Sequence, residues 1–290
     1  MILNDREKTI EELEKAVLDI KMDLLELATK EVIHIGGDLS IVDVITALWQ
    51  CQMRYDPNNP QWEGRDRFIL SKGHASAVTA FNQAAIGCFE RDEIMETYAK
   101  DESRFSMHAC SLINPYNDFS TGSLGHGLPV ALGMAAGLKL KGNLISRVYV
   151  IMGDGEQTEG SVWEAAMNAV FHKLGNLVVF VDGNDLAGDG PLCESSSIGD
   201  IGDKYKTFGW RVEELDGHNM QEIKEKLITL PPADSDVPTV FICHTVKGHS
   251  VPFMENNPKW HCGKITEEQY KELSEKLQRE FEERWRGRCV

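Results

Sequence analysis

The sequence predicts an α/β protein, a mainly parallel sheet flanked by helices on both faces. Two observations carry this. Short apolar runs near 68–70, 147–152, 176–181, 210–215 and 239–244 alternate with stretches of helical spacing, the order expected of a parallel sheet with crossover helices. Between Val148 and Leu186 the alternation is complete: a strand, a turn at Gly153-Asp154-Gly155-Glu156, a helical stretch, a second strand at Leu177–Val181, and a turn at Asp182-Gly183-Asn184. No internal repeat or linker divides the chain, so 1–290 is read as one domain with helical extensions at both ends.

In chain order, Ile10, Leu13, Val17, Ile20, Leu24, Leu25 and Leu27 line one face of an amphipathic helix over residues 6–30. Glu31 to Gly37, containing His34, interrupts it, and the pattern Ser40-x-x-Asp43 predicts the start of a second helix through Trp49. After the turn cluster Asp56-Pro-Asn-Asn-Pro60, a strand at Phe68–Leu70 runs into Ser71-Lys72-Gly73-His74, and a helix follows from Ala75. Residues 101–121 lack periodicity and form a long loop carrying His108; loops of that length in a compact domain are commonly functional. Glycines 122, 125 and 127 precede a small-residue helix over 128–140. Glycine there lets backbone approach a flat ligand closely. Ser161-x-x-Glu164 has the form of a capping box, followed by the apolar spacing Trp163, Ala166, Met167, Val170, Phe171 and Leu174. A helix over Met220–Leu230 separates the last two strands. A loop containing Trp260 and His261 then leads to a charged terminal helix, Glu267–Trp285.

Charge and cysteine content exclude several classes of function. The formal charge of −16 argues against a nucleic-acid or anionic-membrane partner, since both need basic surface. Seven scattered cysteines without a C-x-x-C pair read as reduced thiols. With no signal-type start and no run of eighteen apolar residues, a cytoplasmic location is expected.

Parallel strands place their carboxyl-terminal turns on one edge, so Asp154 and Asn184 are expected to meet. A carboxylate and an amide oxygen suit Mg²⁺, or another divalent cation such as Ca²⁺ or Mn²⁺, and the N–H groups of Gly155 and Glu156 offer an anion nest. Taken alone, Gly-Asp-Gly is an ordinary turn; an Asn closing the next strand shifts the reading to a metal–diphosphate site. His74, at a strand's carboxyl end, is placed to donate to a phosphate oxygen, although a histidine that only caps the following helix would look the same.

Gly153-Asp154-Gly155, the helix start at Glu159-Gly160, Asn184 and the string Leu70-Ser-Lys-Gly-His74 resemble the transketolase family, and specifically the separately encoded amino-terminal subunit of split transketolases. The resemblance covers nearly the whole chain and implies a thiamine-diphosphate-binding fold. It implies metal ligation by Asp154, Asn184 and the Leu186 carbonyl, and diphosphate contacts from His74 and His261. Gly122, Ser123 and Leu124 would contact the cofactor rings. His34 and His108 would touch the donor sugar, and Glu159 would reach towards a partner's activating glutamate. His-Ala-Cys at 108–110 and His-Cys-Gly at 261–263 depart from the family's usual His-Pro-Glu and His-Gly.

The family's cofactor-activating carboxylate lies in a pyrimidine-binding domain that this sequence does not contain. The resemblance therefore implies a second chain, a C-terminal transketolase subunit with pyrimidine-binding and C-terminal domains, in an α₂β₂ assembly acting on sugar phosphates. Two readings stand beside it: another thiamine-diphosphate enzyme component, such as a 2-oxoacid dehydrogenase or a deoxyxylulose-phosphate-synthase-like chain, and a non-catalytic cofactor-binding paralogue.

Overall fold

A computed structural model describes residues 6–188 and 190–286. Five parallel strands, β1 (Arg67–Leu70), β2 (Val148–Gly153), β3 (Leu177–Gly183), β4 (Arg211–Asp216) and β5 (Thr239–His244), form one sheet in the order β1-β2-β3-β5-β4. All five expected strands are present within a residue or two. The helices are α1 (Ile10–Lys30), α2 (Ile35–Ala47), α3 (Ser76–Ala85), α4 (Arg91–Thr97), α5 (Gly127–Leu140), α6 (Gly160–Phe171), α7 (Leu192–Ser195), α8 (Ile201–Phe208), α9 (Met220–Ile228) and α10 (Glu267–Trp285).

Alternation along the strands builds two cores. Tyr149, Ile151, Val178, Phe180 and Phe241 point to one face, packed with residues of α1, α2, α3, α9 and α10. Val148, Val150, Met152, Val179 and Val181 point to the other, against α5, α6 and α8. Both faces are covered, which is why β2 and β3 read as unbroken apolar runs. The amphipathic stripe of α1 is buried as expected, at Leu13, Val17, Ile20, Leu24, Leu25 and Leu27.

Two helix starts differ from the sequence expectation. The second helix begins at Ile35 with His34 at its N-cap, not at Ser40. The Ser40 hydroxyl instead donates to the Asp182 carboxylate at 2.6 Å and to the Gly37 carbonyl. Helix α6 begins at Gly160 behind Glu159, and Ser161 donates across the chain to the Gly125 carbonyl at 2.8 Å. In both cases a long-range acceptor takes the hydroxyl that the local pattern assigned to a cap. The stripe of α6 is also displaced. Val162, Ala165, Ala166 and Ala169 are buried, while Met167 and Phe171 are 48% and 78% exposed.

Cysteines 88, 110, 193, 243 and 262 are free thiols; Cys289 lies outside the described residues. No helix among the described residues is long and apolar enough to cross a membrane.

Candidate functional site

The carboxyl ends of β1, β2, β3 and β5 each run directly into residues that wall one cavity of about 320 Å³. From β2 come Asp154, Gly155 and Glu156, and from β3 come Asn184 and Leu186, so the expected meeting of Asp154 and Asn184 occurs. Asp154 bridges the two strand ends: its Oδ1 accepts from Gly155 N at 2.7 Å and its Oδ2 from Asp185 N at 2.6 Å. Burial, with the Asp182 charge behind it, pushes its carboxyl up to about 6. Asn184 Oδ1 accepts from Leu186 N at 3.1 Å.

The N–H of Gly155 is thus held by Asp154, so the anticipated nest of two free N–H groups loses one member. Glu156 also contributes differently from expectation. Its side chain is buried, and its carboxylate accepts from Ser71 Oγ, from Gly125 N at 2.8 Å and from Gly153 N at 3.1 Å. It ties three turns of the cavity wall together.

Four imidazoles converge in the same cavity. The His34 ring centroid lies 5.4 Å from that of His74, 5.5 Å from His108 and 5.2 Å from His261, and His74 and His261 are 5.2 Å apart. Local backbone pairing explains the convergence. Ile33 and Gly263 form an antiparallel bridge that sets His34 beside His261. Ala109 N donates to Gly73 O and Thr121 N to Ala109 O, which draws the 101–121 loop, with His108, over the end of β1. Two glycines permit these approaches: a Cβ on Gly36 would lie 2.4 Å from the Trp260 carbonyl oxygen, and one on Gly73 2.5 Å from Thr121 Oγ1. Burial, with neighbouring His261, His108 and two lysines, lowers His34 to about 4; His74 is lowered too, first by burial and then by Lys72. Both imidazoles are therefore neutral at pH 7 and act as hydrogen-bonding groups.

Gly122 and Leu124 line the cavity, whereas Ser123 and Glu159 do not: both are exposed, Glu159 as the N-cap of α6. Two wall residues, Lys72 and Lys247, have no counterpart among the residues the sequence singled out. The Lys72 ammonium is buried against the Asp182 carboxylate and also donates to Gly37 O at 3.1 Å. Lys247, 4% exposed, donates to Ala187 O at 3.2 Å, and burial with Lys72 nearby lowers it to about 8. A lysine after a strand ordinarily reads as solvated; the one signal for Lys72 was its place beside His74 at a strand's carboxyl end.

A separate group, Asp43, His218 and His249, brings one ligand atom each within 4.8 Å of the others. Its donors are already committed. His218 Nε2 accepts from Val246 N at 2.9 Å, so its Nδ1 carries the proton to Asp43 Oδ2 at 3.1 Å, and Lys21 Nζ stands 3.9 Å from that oxygen. This is a structural network beneath α2, not a vacant coordination sphere.

A buried carboxylate, an amide oxygen, two ammonium groups and four imidazoles at the carboxyl edge of a parallel sheet define a cofactor-binding α/β domain built for an anionic ligand. The family model described as "Transketolase, thiamine diphosphate binding domain" matches residues 11–286. The chain is 36% identical over 260 residues to the 6-deoxy-6-sulfo-D-fructose transketolase subunit SqwG of Clostridium sp. (strain MSTE9), covering 90% of this chain and 94% of that one. It is 40% identical over 250 residues to an apulose-4-phosphate transketolase subunit of Phocaeicola vulgatus, covering 85% and 88%. Transketolase from Leishmania mexicana shares its fold at a TM-score of 0.83 and 24% identity, and the match spans 93% of this chain but 41% of that protein. The chain belongs to the transketolase family and is a thiamine-diphosphate-binding domain of the kind found in split transketolases.

Proposed function

We propose that this chain is the amino-terminal subunit of a two-chain transketolase, moving a two-carbon ketol unit from a ketose to an aldose acceptor. The observation that carries the reading is the convergence of His34, His74, His108 and His261 with Asp154 and Asn184 in one cavity. A row of imidazoles, with His34 and His74 held neutral, suits a polyhydroxylated donor, which favours ketol transfer over 2-oxoacid chemistry.

The donor set fits the absent groups. Each oxygen of Asp154 and Asn184 Oδ1 accepts one N–H and keeps a lone pair for a divalent cation. With the Leu186 carbonyl these residues would hold Mg²⁺. His74, His261 and Lys247 would face the diphosphate, and Gly122 and Leu124 the rings. When bound, thiamine diphosphate supplies an electron sink that stabilises a carbanion. This chain's part is to orient the donor through His34 and His108 and to exclude water. Both named relatives act on ketoses with an anionic substituent, a sulfo group in one and a phosphate in the other; a donor of that kind is proposed here.

The activating carboxylate is assigned to a partner, and the exposed Glu159 is assigned to meet it. Support for a docking face comes from α5 and α6: Leu140 and Phe171 are 89% and 78% exposed, and a Cβ on Gly133 or Gly137 would meet open space. An α₂β₂ heterotetramer with the C-terminal subunit, in a reducing cytoplasm consistent with the free thiols, completes the proposal.

The test mixes the chain with a candidate partner that carries the pyrimidine domain, assays ketol transfer and measures mass by light scattering. The expected result is activity and a heterotetramer from the mixture and no activity from either chain. Ketol transfer by this chain alone would overturn the division of labour.

A further inference from the structure

Strand β5 ends at His244, and the next three residues are each tied to a different part of the fold. Thr245 Oγ1 donates to the Asp182 carboxylate of β3, Val246 N donates to Nε2 of His218 at 2.9 Å, and Lys247 enters the wall of the imidazole cavity, where its ammonium donates to Ala187 O at 3.2 Å. Gly248, at φ +77°, then reverses the chain: Gly248 N donates to Gly36 O at 2.9 Å and His249 N to Val246 O at 3.1 Å. Main chain holds the peptide that follows Lys247. An imidazole holds the one that precedes it.

His218 stands in the turn between β4 and α9, outside the cavity. Its position is fixed from several directions. Its backbone N–H donates to Asp216 Oδ1 at 2.9 Å, its Nδ1 donates to Asp43 Oδ2 at 3.1 Å, and the His249 ring stacks on its own with centroids 3.5 Å apart and planes 20° from parallel. The Val246 N–H needs a lone pair on Nε2, and the Asp43 carboxylate at Nδ1 selects the tautomer that provides it. Lys21 Nζ, 3.9 Å from Asp43 Oδ2 and 3.1 Å from Ser250 Oγ, links that acid to the residues just after the turn.

Bulk and stacking at this place would be met by a phenylalanine. Only an imidazole offers a donor on one edge for Asp43 and an acceptor on the other for Val246. A partly buried N–H that loses its acceptor bears a desolvation penalty, so the turn would shift to find another partner, and Lys247 is the next residue along it.

We propose that His218, oriented by Asp43, is a positioning residue for anion binding: its Nε2 sets the Val246–His249 turn so that the Lys247 ammonium is presented in the cavity wall. The ammonium donates once, to Ala187 O, and keeps two N–H groups for an anion. This role rests on the reading of Lys247 as a diphosphate contact.

Titration calorimetry of the full chain with pyrophosphate and Mg²⁺ tests it. His218→Gln and His218→Met have nearly the same length and shape and both lose the ring stack, but only the glutamine keeps an acceptor for Val246 N. His218→Met should weaken binding about tenfold, the scale of one misplaced charged hydrogen bond, and His218→Gln by no more than about threefold. In a Lys247→Met background, His218→Met should add less than about twofold, because both changes remove the same contact. His218→Phe takes the place of His218→Met if circular dichroism shows the latter unfolded. Equal affinities in the glutamine and methionine variants, or a tenfold loss that persists in Lys247→Met, would overturn the proposal while leaving Lys247 on the anion. Binding absent from the wild type, or unchanged in Lys247→Met, would instead overturn the reading of Lys247 and the role of His218 with it.

Discussion

The ammonium of Lys72, just beyond β1, donates to the carboxylate of Asp182, in β3, across the floor of the imidazole cavity, and their side chains are 3% and 0% exposed. Burial alone would raise the Asp182 carboxyl. The charge and hydrogen bond of Lys72, with hydrogen bonds from Ser40 and Thr245, hold it below the usual carboxylate range instead.

Removing one member of this pair leaves an uncompensated buried charge. Asp182→Ala is expected to lower stability by about 3–5 kcal/mol, read from urea midpoints. The double variant Lys72→Met with Asp182→Leu should recover most of that loss, because apolar replacement of a buried pair is close to neutral. A double variant as unstable as Asp182→Ala would show that packing, not charge, dominates. With the folded pKa lowered, the pair's contribution is complete above the unfolded value of 3.8 and disappears as pH falls through the folded value. The wild-type midpoint should therefore fall more steeply below about pH 4 than that of the double variant.

Asp154→Ala should remove metal-dependent thiamine diphosphate binding from the assembled enzyme while leaving the fold intact. The side chain supports only local N–H groups, of Gly155 and Asp185. Titration calorimetry with and without Mg²⁺ measures it, and an unchanged affinity would remove Asp154 from the metal site.

His34→Ala is expected to damage ketose turnover far more than cofactor affinity, by about a hundredfold or more if the imidazole acts on the reacting donor. Steady-state kinetics alongside separately measured cofactor binding provides the check. Equal losses in both would place His34 on the cofactor instead.

Lys247 has a folded pKa lowered to about 8, so it is charged below that value and becomes neutral as pH rises through it. Affinity for pyrophosphate should decline above about pH 8, with the onset moved upward to the extent that the bound anion favours the ammonium. Lys247→Arg, charged at every working pH, should abolish the decline. A decline that persists in that variant would assign the titration to another group.

Helix starts show where local patterns lose to tertiary contacts. Ser40 and Ser161 stand in capping patterns, yet each hydroxyl finds its partner far away in sequence, Asp182 for one and Gly125 for the other. Met167 and Phe171 fit the helical spacing of a buried stripe on α6 and are nonetheless exposed, because the sheet takes up a seam of Val162 and alanines instead.

Whereas only the family resemblance places His261 at one sheet edge with them, the five strands, their parallel architecture, and the placement of Asp154, Asn184 and His74 at that edge are all legible in the order of residues along the chain. They follow from strand-length apolar runs covered on both faces and from the direction that parallel strands share. Packing was needed to bury Lys72 and Lys247 in the same wall, to make Glu156 brace three turns and to leave Ser123 and Glu159 outside the cavity. Packing also turned the Asp66 carboxylate onto the backbone N–H groups of Arg54 and Arg147. Each of these depends on which acceptor lies within hydrogen-bonding distance after the strands have packed, and that is set by register and loop closure between residues far apart in the chain.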